Sequence, residues 1–186
     1  MEKSEKTIAE YRPLDEREEA DRTQILQYLA SGHDALSRED AAAHFTCSAW
    51  ITDSTRSRVL FAFHNIYKSW AWIGGHADGN PDFLAVALKE AREETGVRNF
   101  RVLSENPISI ETLAVKSHVK HGKIVSSHLH FNVTYLLEAD PEDELTVKKD
   151  ENSAVGWRTE EQILSPDSEP EMLPIYSKLL DRMKNY

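Results

Sequence analysis

Gly75-His-Ala-Asp-Gly-Asn-Pro-Asp-Phe-Leu-Ala-Val-Ala-Leu-Lys-Glu-Ala-Arg-Glu-Glu-Thr-Gly-Val97 is the stretch on which the fold turns. Leu84, Ala87, Leu88 and Ala91 recur at i, i+3, i+4 and i+7, which predicts a helix over 81–95. Asn80 suits its N-cap, Pro81 its first position and Gly96 its stop. Beside that stripe Glu90, Glu93 and Glu94 occupy i, i+3 and i+4, so three carboxylates share an arc of roughly 100°. Like charges so placed repel by a few tenths of a kcal/mol per pair, and their convergence calls for open water or a bound cation. Lys89 and Arg92 fall on other arcs and are not expected to neutralise them. Oxygen-only ligands suit Mg²⁺ or Mn²⁺ better than zinc. For an isolated Glu-x-x-Glu-Glu the competing reading is a solvated acidic face.

The flanks read as a sheet. Residues 47–52, 59–64 and 70–73 are short β-rich segments ahead of the helix. After it, 108–115 is strand-like. Leu129, Phe131, Val133, Tyr135 and Leu137 then alternate with His128, His130, Asn132 and Thr134, one face for the core and one polar. A short strand around Trp157 and a closing helix over 174–184 follow, the latter with Tyr176, Leu179, Leu180 and Met183 on one face. At the other end, 1–14 reads as a loose lead-in and 15–30 as a helix ending near Gly32. Ser37 with Asp40 suggests the capping box of a second short helix. Strands on both sides of a central helix, with helices at both ends, predict an α/β layered sandwich around a mixed sheet.

The 186 residues fit one domain with a small extension. With 32 acidic against 22 basic side chains the formal charge is -10. An extended nucleic-acid partner is therefore opposed by the protein's own field, and an anionic substrate needs a bridging cation. The single cysteine, Cys47, excludes an internal disulfide framework. The opening Met-Glu-Lys-Ser-Glu-Lys is not a secretory signal, and no apolar run approaches about 18 residues. The expectation is a cytoplasmic protein with no membrane contact.

The segment 75–97 resembles the Nudix box: Gly, five residues, Glu, seven residues, Arg-Glu, a bulky aliphatic, any residue, Glu-Glu, any residue, Gly, aliphatic. Gly75, Glu90, Glu93, Glu94, Gly96 and Val97 fall in register. Pro81 stands in place of the first glutamate, with Asp82 beside it as a nearby acid. Lys89 stands in place of the arginine and Ala91 in place of the larger aliphatic. Lys89 keeps the charge but loses the planar fork that grips a carboxylate twice. Over about 45–165 the strand order and the Trp157 segment also resemble a Nudix domain. The resemblance implies a Nudix-type α/β/α sandwich with a mixed β-sheet over 45–186, preceded by a helical extension over 1–44.

It also implies a chemistry: hydrolysis of a phosphoanhydride bond in a nucleoside diphosphate derivative or related small molecule, with Mg²⁺ or Mn²⁺. Carried over by residue, Glu90, Glu93 and Glu94 are metal ligands together with the Gly75 carbonyl. Glu90, Glu93 and Glu151 are the candidate catalytic bases. A nucleotide sensor without turnover and an isoprenoid diphosphate isomerase are the alternatives on the same fold; Cys47 lacks the context of a reactive thiol for the latter.

Four histidines crowd into 118–130, namely His118, His121, His128 and His130. Zinc is one reading of them and plain polar-face histidines another. A third joins them to Lys116, Lys120 and Lys123 as a basic patch that meets the substrate's outer phosphate. His76, directly after Gly75, is a further candidate phosphate contact. Tyr67, Trp70 and Trp72 read as core aromatics before base-stacking ones, and Cys47 as a packed residue. The helical lead-in either caps the domain or mediates self-association as a homodimer; its pattern leaves both open.

Overall fold

The computed structural model describes residues 2–120 and 122–186. Two helices come first, α1 (Lys3–Glu10) and α2 (Glu16–Ala30), then strands β1 (Ala43–Thr52), β2 (Arg58–His64), β3 (Trp70–Ala71) and β4 (Ile73–His76). Helix α3 (Phe83–Thr95) carries the glutamates. Strands β5 (Arg101–Val102), β6 (Ser109–Val115), β7 (His118–Lys120), β8 (Lys123–Val125), β9 (His128–Glu138) and β10 (Asn152–Thr159) follow, then α4 (Glu160–Ile163) and α5 (Leu173–Met183). The large sheet runs β10-β2-β1-β9-β5, with β3 on β2, β4 on β1 and β6 on β9. Its β1–β9 pair is parallel and the rest are antiparallel, so the sheet is mixed as expected.

Strand β1 is buried along its whole length because helices cover both faces of the sheet. Phe45, Cys47, Ala49 and Ile51 enter one core, beside Phe83, Val86, Ala87 and Ala91 of α3. Trp50 enters the other, where Tyr176, Leu179, Leu180 and Met183 of α5 meet it and its indole N–H donates to Met183 Sδ at 3.3 Å. The polar side of β9 is therefore not a wet face: Asn132 and Thr134 are buried. Asn132 Oδ1 accepts from Thr46 and Ser48, and its amide donates to Glu111 and Thr134.

Helix α3 starts later than expected. Asp82, not Asn80, is the N-cap, accepting from Ala85 N at 3.2 Å, while Asn80 Oδ1 takes Asp82 N and leaves Pro81 outside the helix. Gly96 ends it at φ 77°, the left-handed conformation glycine adopts without strain. Residues 3–10, expected to be loose, form α1: Ile8 is fully buried, Arg22 donates to the carbonyls of Ile8 and Ala9, and Lys3 pairs with Asp82 at 2.5 Å. The short helix expected after Ser37 is absent. Asp40 spends its carboxylate on Tyr28, His33 and the Ala42 amide, so 31–42 is a chain of turns. Strand β1 begins at Ala43, just before the expected boundary between 44 and 45.

A buried ionic network fastens α2 to β6 and α5. Glu18 and Glu111 are 0% and 1% exposed. Glu18 accepts from Arg182, from Lys178 at 2.8 Å, from the Tyr11 hydroxyl at 2.8 Å and from Leu14 N at 3.0 Å. Glu111 accepts from Lys178 at 2.9 Å and Asn132 at 3.0 Å, and the Ser109 hydroxyl lies between the two acids. Burial raises the Glu18 pKa, but the bonds from Arg182, Lys178 and Leu14 outweigh it and hold the carboxyl at about 2. No helix among the described residues is long and apolar enough to cross a membrane.

Candidate functional site

The inward face of α3 is Phe83, Val86, Ala87, Glu90, Ala91 and Glu94, so two of the three glutamates point at the sheet rather than at solvent. A carboxylate tolerates that position only where polar groups meet it. Glu94 Oε1 accepts from Gly74 N at 3.0 Å and its Oε2 from Asn152 Nδ2 at 2.8 Å. Burial nonetheless pushes its pKa up to about 7, with the charges of Glu90 and Glu151 adding to the shift. Glu90 lies against Gly75. A β-carbon there would stand 2.4 Å from Glu90 Cδ, so only glycine admits this approach of carboxylate to main chain.

Two lysines hold the carboxylates. Lys89 Nζ is 2.9 Å from Glu90 and 3.4 Å from Glu93, contrary to the expectation that it would lie apart; a four-carbon stem reaches across the arc. Lys148 Nζ is 3.6 Å from Glu93 and 2.9 Å from Glu151. Burial lowers the Lys148 pKa, but the Glu151 partner outweighs it and pushes the ammonium up to about 12. The loop before β10 is fixed by Asn65 N donating to Glu151 O at 2.9 Å and Asn152 N to Lys148 O at 2.8 Å. Glu90, Glu93, Glu94 and Glu151 are thus brought together, four acids against two ammonium groups. The oxygen donor set and the glycine cradle fit a hard dication once the lysines yield. Arg92 stays out, bonding the Leu88 and Arg98 carbonyls.

Gly75 and His76 are consecutive strand residues and address opposite faces. On the face away from α3, His76 meets His44 of β1 and His130 of β9, with ring centroids 5.1 and 5.0 Å away. His44 and His130 are register partners 5.0 Å apart, and His128 Nε2 is 3.1 Å from His130 Nε2. Among the described residues, the one set of three ligating side chains whose donor atoms all lie within 4.8 Å of one another is His44, His76 and His130, not the glutamates. Burial and the neighbouring imidazoles push the His130 pKa down to about 2, so that ring is neutral at pH 7.

The remaining expected residues lie elsewhere. Lys116 is exposed and paired with Glu171 at 2.9 Å, on the rim near His118. His121 lies outside the described residues. Asp82 sits at the far end of α3, eight residues from Glu90 or about 12 Å along the axis, and is engaged with Lys3, so it adds no acid to the cluster. Trp70 packs on Arg158 and Trp72 on Tyr176, but Tyr67 is exposed beside His64 rather than in the core. Cys47 is fully buried and burial raises its thiol pKa, so it is no nucleophile. Unforeseen in the sequence were Asn152, Lys148 and His44. Asn152 and Lys148 flank Glu151, and that proximity was the only signal of them.

The family model described as the NUDIX domain matches residues 43–179. The chain belongs to the NUDIX family. This NUDIX domain shares its fold with a NUDIX-family hydrolase from Clostridium perfringens, at 22% identity and TM-score 0.55 over 75% of this chain and 97% of that one. An Ap4A hydrolase of C. elegans, solved as a binary complex, matches at 16% identity and TM-score 0.57, over 76% and 98%. The dihydroneopterin triphosphate pyrophosphohydrolase of E. coli matches at 13% and 0.56, over 74% and 94%. No curated protein matches the sequence.

Proposed function

We propose that this NUDIX domain is a divalent-cation-dependent hydrolase of a phosphoanhydride bond in a nucleoside diphosphate derivative or related small molecule. The carrying observation is the Glu90 carboxylate seated on the bare Gly75 main chain, with Glu93, Glu94 and Glu151 around it and only Lys89 and Lys148 to balance them. Glu90, Glu93, Glu94 and the Gly75 carbonyl would hold Mg²⁺ or Mn²⁺. Bound there, such an ion offsets the charge of an incoming diphosphate, polarises its phosphoryl oxygens and acidifies water.

The chain's own groups then divide the work. Glu94 ties the turn at Gly74 to Asn152 of β10 and so sets where the Gly75 carbonyl faces. Glu151 is the preferred general base: it is half-exposed, lies on the lip of the cluster, and its carboxylate pairs with Lys148 at 2.9 Å. Glu90 and Glu93 remain the other candidates. When the lysines leave the acids, their ammonium groups are free to meet phosphate oxygens. His76, His128 and His130 form the wall on the other side of β4, where the substrate's outer part would lie, and Lys116 stands at its rim.

Release of phosphate or a nucleoside monophosphate is the test, measured with Mg²⁺ and with Mn²⁺ on nucleoside di- and triphosphates, ADP-ribose, dinucleotide polyphosphates and sugar nucleotides. No turnover of any of these, with tight binding of one, would favour a sensor instead. That reading draws on Lys89 and Lys148 already filling the acidic cluster.

A further inference from the structure

The histidine cluster stands apart from the carboxylates and has its own chemistry. His44 is 5% exposed, and its Nε2 is buried with no hydrogen-bond partner. Its Nδ1 lies 3.1 Å from the Asp40 carbonyl. A carbonyl only accepts, so Nδ1 carries the proton and the lone pair sits on Nε2, aimed among the other rings. His128 repeats the pattern: Nδ1 is 2.8 Å from the Ser126 carbonyl, which leaves the lone pair on Nε2. His130 Nε2, 3.1 Å from that lone pair, must then carry a proton, and the His130 lone pair falls on Nδ1. Backbone carbonyls and one imidazole thus fix the tautomers from behind, the arrangement by which metal-ligating histidines are oriented.

We propose that His44, His76 and His130 form a three-imidazole site for a zinc-type transition-metal dication, with His128 as the hydrogen-bonding support of His130. One ring nitrogen of each of the three lies within 4.8 Å of one from each of the others. Three ligands of a tetrahedral Zn²⁺ with bonds of 2.0–2.1 Å stand about 3.3 Å apart, a contraction that modest ring rotations supply. Three protein ligands leave a fourth position open to water or to a phosphate oxygen. Neutral imidazoles favour Zn²⁺, Co²⁺ or Ni²⁺ over Mg²⁺, so the two sites on either side of Gly75 differ in the metal they select. The sequence had grouped His128 and His130 with His118 and His121; the strands instead supply His44 from β1 and His76 from β4. Metal binding here does not depend on the hydrolase reading.

The test is titration of the chelator-stripped full chain with Zn²⁺ by calorimetry, and with Co²⁺ by its visible absorption, both in excess Mg²⁺. One Zn²⁺ per chain and a four-coordinate Co²⁺ spectrum are expected. His44→Ala and His130→Ala should each weaken binding roughly a hundredfold or more. His76→Gln, at the half-buried end of β4, should do the same in a variant whose fold is least disturbed. Glu93→Gln should leave Zn²⁺ affinity unchanged, which separates this site from the glutamates. Undiminished Zn²⁺ binding in the histidine variants, its loss in Glu93→Gln, or metal-free binding of inorganic pyrophosphate with no Zn²⁺ uptake would each overturn the proposal.

Discussion

Two acidic clusters in this molecule use the same ingredients to opposite ends. At the junction of α2, β6 and α5, Glu18 and Glu111 face Lys178 and Arg182, with the half-exposed Asp15 3.7 Å from Arg182 at the edge. The two glutamates are fully buried, and each of their carboxylate oxygens has a partner. At the end of α3, four carboxylates face two lysines, one of which, Lys89, has a side chain 60% exposed. The first is closed, with every oxygen of its two buried glutamates bonded, which suits a lock. The second carries surplus negative charge at the surface beside an exposed ammonium group, which suits a site that exchanges its cation.

Substitution should separate the two. Glu93→Gln removes a half-exposed charge from the open cluster, and metal-dependent turnover should fall roughly a thousandfold, several kcal/mol at about 1.4 kcal/mol per decade. Its urea midpoint should stay unchanged; turnover equal to the parent chain would end the ligand assignment. Glu18→Ala should do the reverse, costing roughly 3–5 kcal/mol of unfolding free energy by stranding Arg182 and Lys178, with kcat per folded molecule intact.

Acid should also tell them apart, with opposite signs. Glu18, held at about 2 against an ordinary 4.5, stabilises the fold above pH 4.5 and loses that contribution as pH falls toward 2, roughly 3 kcal/mol in all. Glu94, raised to about 7, stabilises most below pH 4.5 and loses its contribution as pH rises through 7. Urea midpoints at pH 5 and pH 7.5 in EDTA should show the Glu94 loss in the parent chain and not in Glu94→Gln. A slope identical in the two would refute it. The smallest effect is expected from Lys89→Gln. Removing a rival for Glu90 and Glu93 should tighten Mg²⁺ a few-fold in calorimetry, the scale of an exposed ion pair. Weaker binding would mean that Lys89 organises the acids rather than competing for them.

The sequence carried the box because its information is local: helical period, charge spacing and a terminal glycine all lie within 23 residues. Ala87 and Ala91 of the expected stripe lie on the buried face, while Leu84 and Leu88 flank it, partly buried, and Glu90 and Glu94 occupy it instead. A hydrophobic count could not foresee carboxylates buried on Gly74, Gly75 and Asn152. The histidine set was illegible for another reason, as its members come from three strands and meet only through sheet order. Helix α1 was missed because eight mostly polar residues without a cap bond gain their order from packing on α2. The β7–β8 hairpin is three residues a side, too short to show alternation.

The parallel pairing of β1 with β9 joins Ala43 to Leu129, positions 86 residues apart. During synthesis, at about 5–20 residues per second, the ribosome makes β1 roughly 4–17 s before its parallel partner exists. For that interval β2, β4 and α3 are already at hand, but the β9 edge of β1 stays open and Phe45 lacks Phe131. Newborn copies of this chain should therefore lean on chaperones, and yield on overexpression should rise when translation is slowed or holdases are supplied.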